Sequence, residues 1–431
     1  MSDSECDPIN TPVSSSDHQG LVSEESQFEV KLFSKLPDKF QIPGDKMVVP
    51  GNLTRIDLSE LVNETLCFEK RVPFDFLIRG EFLRDSLSSH CVERGILSEK
   101  TLEIEYVIAM EEPNSTDLTL PQTDWVSGIS CGVESMFTCS MDGVLTKYEL
   151  QSGKLISSTQ QSSLPLTGIA LSDNGVVMTC GRDGLIRFAS DESLKSMETG
   201  KVDSGMTVLS LCPWDHSLVL TGSVDGSVHL WNVPASKPLT KSDKSKKRAL
   251  EESLPPRSVV LKTDSSVSGI SWLSLSRAVA ASQDGTLRVF DPMSGECLPT
   301  ISISRQISAM TCLGTRRLVT GHPDGRIIFW TMRFDGSSSS CLLEAANSCR
   351  SHSRLVSVLS ARPESEFMVA AGCLDGKVKL FDCRASHFAV QSVSLPEKER
   401  VLAVRWVSEN RFLSGGSDGR VRVHDIETID E

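Results

Sequence analysis

Residues 221–232 read TGSVDGSVHLWN: small residues, an Asp-Gly pair at 225–226, then an apolar run ending on Trp231-Asn232. An Asp-Gly pair between two apolar stretches suits a two-residue β-hairpin whose turn needs positive φ, a conformation glycine adopts without steric cost. The stretch therefore predicts two adjacent antiparallel strands joined at Asp225.

The same grammar recurs. Asp-Gly stands at Asp142, Asp183, Asp225, Asp284, Asp324, Asp375 and Asp418, at intervals of 41, 42, 59, 40, 51 and 43 residues. Small residues precede it, as in TCSMDG, TCGRDG, TGHPDG and SGGSDG, and apolar stretches follow it, as in VLTKYE, TLRVFD, KVKLFD and RVRVHD. A further strand begins about seventeen residues upstream, as in VSGIS at 126 and LTGIA at 166. One such sheet cannot bury both of its faces, whereas several packed radially can.

This repeat resembles the WD-repeat family, and seven copies imply a seven-bladed β-propeller over residues 115–431. The Trp-Asp signature survives in pieces, as Trp231-Asn232, Phe290-Asp291, Phe381-Asp382 and His424-Asp425, and becomes Ala189-Ser190 in the second repeat. The last repeat stops after its third strand, so Leu118 to Leu120 are expected to supply the fourth and leave no open edge. Insertions at about 234–258 and 333–353 lengthen two intervals and are expected to be mobile surface loops.

Outward toward the N-terminus the texture changes. Alternation in FEVKLF, a second strand at KMVVP, and a helix after Thr54 with Leu58, Leu61, Val62 and Leu66 on one face predict an α+β domain. Strands FDFLI at 74–78 and LEIEYVI at 102–108, with a short helix around Ser86 to Arg94, complete a ubiquitin-like roll over 28–110. Residues 1–27 hold six acids, seven serines and no Lys or Arg, the composition of a disordered tail. The fold class is thus mainly β, with a propeller preceded by a small α+β domain.

Composition narrows the function. The formal charge of −13 opposes a whole-molecule nucleic-acid binder, so any RNA contact is expected to be local or indirect. Thirteen scattered cysteines lack metal-ligand spacing and fit a reducing compartment. No apolar run is long enough to span a membrane. Phosphate-loop, dinucleotide, nucleophile-elbow and zinc-protease motifs are absent, His229 and His322 fall at strand or turn positions, and neither an enzyme nor a cofactor is expected. The seven repeat aspartates are accounted for as turn residues. Lys244, Lys246, Lys247 and Arg248, in the basic run KSDKSKKRAL, suit nuclear import or a local RNA contact.

Between strand and short helix lies VPFDFLIRGEFLRDSL, residues 72–87, with Glu81 at a turn. Followed by EIEYV and by DWVSGI at the start of the propeller, this stretch resembles the ribosome-biogenesis WD-repeat proteins of the Pescadillo-containing complex, whose N-terminal domain is ubiquitin-like. The resemblance implies a nuclear, nucleolar and nucleoplasmic assembly factor for the large (60S) ribosomal subunit, needed for maturation of its rRNAs. Its implied partners are a second WD-repeat protein of the block-of-proliferation family, Pescadillo through it, and precursor particles of the large subunit. Midasin, an AAA ATPase, removes such a factor by gripping the ubiquitin-like domain. In that family the glutamate at the position of Glu81 completes the coordination of a Mg²⁺ held by midasin, and Arg79 and Phe82 flank it as contact candidates. The alternatives are a notchless-type assembly factor, which implies eight blades, and a WD-repeat substrate receptor of a ubiquitin ligase.

Overall fold

In the computed structural model, which describes residues 27–42, 46–68, 70–96, 101–110, 112–119, 122–234, 258–334, 341–350, 352–363, 365–384, 389–396 and 399–426, the alternation in QFEVKLF becomes strand β1 (Gln27–Phe33). Phe28, Val30 and Leu32 turn inward from it. The expected acidic tail, except Gln27, and the basic insertion with Lys244, Lys246, Lys247 and Arg248 lie outside the described residues. The chain divides into two compact units, Met1–Ala109 and Met110–Glu431.

The first unit continues with β2 (Met47–Pro50), α1 (Arg55–Leu66), β3 (Phe74–Ile78), β4 (Glu81–Phe82), α2 (Leu87–Glu93) and β5 (Leu102–Ile108). Their sheet order is β2-β1-β5-β3-β4, with β1 and β5 parallel and the other pairs antiparallel. At the start of α1 the Asp57 carboxylate accepts both the Thr54 N–H at 2.8 Å and its hydroxyl at 2.7 Å. Leu58 and Val62 of α1 are fully buried, and Asn63 beside them bonds Val72 N–H and Val72 C=O, each at 2.7 Å. All of β3 is buried. Phe74 meets Tyr106 edge-on at 5.7 Å, while Asp75 is held by Arg55 at 3.0 Å.

The second unit is a β-propeller of seven four-stranded antiparallel sheets. Their innermost strands are Val126–Cys131, Leu166–Ser172, Met206–Leu211, Val267–Ser274, Ala309–Leu313, Val356–Ala361 and Val401–Ser408. Each packs against the next, and the last packs against the first, so the ring closes. The closing outer strand is β6 (Asn114–Asp117), a few residues before the expected Leu118–Leu120, and it pairs with Val421–Asp425. The ladder sets this register: Asp117 reaches Arg422 at 2.8 Å, and Leu118 N–H, already past the strand, bonds Val421 C=O at 2.9 Å.

Two expectations need correcting. The Asp-Gly turns are hairpin links of three residues, or of four at Asp324 and Asp418, with positive φ at glycine alone (+71 to +88°), not two-residue turns. Each glycine N–H closes a turn onto the carbonyl three residues back at 3.1–3.3 Å. The part of the second insertion described here is no loop. Cys341–Arg350 forms a ten-residue outer strand against Arg326–Phe334, tied across by Arg333 and Glu344 at 3.0 Å.

Candidate partner-binding site

Glu81 is the first residue of β4, the edge strand of the N-terminal sheet, and pairs with Ile78. Between them Arg79 (φ +52°) and Gly80 (φ +83°) form a two-residue link with both φ positive, the geometry whose twist matches the flanking strands. Arg79 is exposed. Phe82 is 5% exposed, with the Arg84 guanidinium 5.0 Å from its ring centre. It anchors the hairpin to the core.

The Glu81 side chain keeps 38% of its surface, and its two oxygens differ. Arg94, which follows α2, places Nε 2.8 Å from Oε2, and that oxygen is enclosed without an aligned hydrogen bond. Oε1 is the oxygen left on the solvent side. His90 lies close enough to feel the Glu81 charge, but burial holds its imidazole below the ordinary range. Nothing in the sequence distinguished Arg94 from other surface arginines, because its partner lies across the fold. An exposed carboxylate oxygen on an ordered strand is the donor that Mg²⁺ favours, so the site fits the metal its family resemblance implies.

The repeat aspartates occupy a different kind of place. In every copy Oδ1 accepts the backbone N–H two residues on, at 2.9–3.2 Å. The other oxygen often bonds the segment arriving from the preceding sheet, as Ser162 Oγ does to Asp183 at 2.7 Å. At Asp375 this contact is His352, 3.3 Å away, and Cys373 joins them. Three ligand types meet there, yet Asp375 also accepts Ser353 and Lys377 N–H, each at 3.1 Å, and Cys373 donates to Arg354 C=O at 3.2 Å. The cluster lies in a seam between sheets, most of its ligand atoms already hydrogen-bonded and His352 Nε2 buried without a partner. His322 is likewise spent, bonding Thr320 at 2.9 Å and Gln306 C=O at 2.7 Å, and His229 is buried.

A central cavity of about 650 Å³ is lined by the innermost strands. Its hydroxyls stitch neighbouring sheets: Ser127 to Leu166 C=O, Thr167 to Met206, Thr207 to Val267, Ser308 to Val356 and Ser357 to Val401, at 2.6–2.9 Å. At its rim the Asp173 N–H is donated to His216 Nδ1 at 3.2 Å, and the neighbouring Ser172 hydroxyl is donated to His216 C=O.

Residues 28–91 match the NLE (NUC135) domain, and residues 195–232 and 390–425 match the WD domain, G-beta repeat. "Ribosome biogenesis protein YTM1" of Laccaria bicolor is 30% identical over 85% of this chain and 88% of its own length. The proteins of that name from Vanderwaltozyma polyspora and Saccharomyces cerevisiae are 28% and 26% identical, each over 95% of this chain and 99% of their own. With an NLE domain ahead of a WD-repeat propeller and this similarity along its length, the chain belongs to the family of ribosome biogenesis protein YTM1.

Proposed function

We propose that this protein is a non-enzymatic assembly factor of the large (60S) ribosomal subunit, needed for maturation of its rRNAs. Its propeller acts as a scaffold for a second WD-repeat protein of the block-of-proliferation family and, through it, for Pescadillo. Its NLE domain is the handle by which midasin removes it from precursor particles in the nucleus. The observation that carries this reading is Glu81, at the first position after a tight hairpin on a sheet edge, with one carboxylate oxygen open. A rigid acid of this kind can complete the coordination of a Mg²⁺ held by another chain at low ordering cost.

Glu81→Ala removes a part-exposed side chain on an edge strand, so the fold is expected to survive. Binding to the midasin adhesion domain, measured by calorimetry with Mg²⁺ and again after chelation, is expected to vanish in both cases. Binding that persists through both would sink the reading. Sedimentation separates the alternatives, since migration with large-subunit precursors supports an assembly factor and co-migration with ligase subunits opposes it.

A further inference from the structure

We propose that Arg94 is a positioning residue for the Glu81 carboxylate, holding Oε2 so that only Oε1 is offered to a metal ion. This rests on the reading of Glu81 as a ligand given in trans. The observations are local. Arg94 sits at the end of α2, where its N–H bonds His90 C=O at 3.2 Å and Gly95, with φ +60°, turns the chain away. From there its Nε lies 2.8 Å from Oε2, which has no exposed surface, while the side chain as a whole keeps 38% of its own.

A glutamate on a short edge strand would otherwise sample several rotamers, and each costs entropy to freeze on binding. A guanidinium on one oxygen selects among them. It also blocks bidentate chelation, which suits Mg²⁺, since Mg²⁺ demands regular octahedral geometry, whereas Ca²⁺ accepts both oxygens of one carboxylate.

The test uses the full chain, the midasin adhesion domain and calorimetry in Mg²⁺. Arg94→Ala is expected to weaken binding about three- to tenfold, the cost of ordering one side chain, while leaving it Mg²⁺-dependent. Arg94→Lys is expected to restore part of the loss. Arg94→Ala added to Glu81→Ala is expected to change nothing further, because the arginine acts through the glutamate. Circular dichroism melts of each variant check that the domain is folded. Unchanged or tighter binding by folded Arg94→Ala overturns the positioning role and leaves Glu81 as a ligand. Undiminished binding by Glu81→Ala overturns both.

Discussion

Glycines 80 and 226 share nearly the same φ, +83° and +84°, but not the same surroundings. A Cβ on Gly80 would meet nothing within 4 Å, whereas one on Gly226 would lie 2.3 Å from the Thr263 carbonyl oxygen. Gly80→Ala therefore carries left-handed strain alone, about 1–2 kcal/mol. Gly226→Ala adds displacement of a neighbouring segment and is expected to cost about twice that or more. All six tryptophans lie beyond residue 110, so thermal unfolding read by tryptophan fluorescence reports the propeller change, and circular dichroism is needed for Gly80→Ala. Equal losses at the two sites would show that the Thr263 backbone yields freely. The glycine requirement was legible in the sequence because a turn's φ is a local property. The role of Phe82 was not, because a strand residue's inward or outward direction depends on which face the sheet presents to its core.

Among elements, β6 shows how a few residues close the ring. Asp117 bridges Arg420, just before the last strand, and Arg422 within it, and Arg422 is 5% exposed. Asp117→Ala leaves Arg422 its pairing with Asp418 and is expected to lower propeller stability by about 1–3 kcal/mol, measured by urea unfolding. A double-mutant cycle with Arg422→Ala isolates the pair, and a coupling near zero would mean that the backbone ladder alone fastens the strand. That a segment ahead of the first repeat pairs with the last sheet was expected, but its register was not readable. NSTD has no apolar alternation, and all four residues are exposed. The strand Cys341–Arg350 was hidden for a similar reason, since serines obscured a segment whose strand character comes from its ladder with Arg326–Phe334.

For the whole molecule, buried histidines set the acid limit. Burial pushes His352 down to about 4 and His424 down to about 3, from 6.5. The native state keeps both neutral while the unfolded chain binds protons near pH 6.5, so stability is fully present above that pH and falls as the pH drops toward 4. The expected slope is about 1.4 kcal/mol per pH unit for each histidine. The propeller's fluorescence-detected melting temperature should therefore fall steadily between pH 6.5 and 4.5, and a flat profile would show that these imidazoles are not held neutral. The amino-acid sequence by itself determined the seven sheets and the tight turn beside Glu81, because glycine at positive φ, an aspartate acceptor two residues before an N–H, and apolar alternation act within a few residues. Only the tertiary structure decided which strand closes the ring, which aspartates latch neighbouring sheets, and which oxygen of Glu81 stays open. Those outcomes depend on partners brought together by folding, such as Asp117 with Arg420 across 303 residues and Glu81 with Arg94 across the end of a helix.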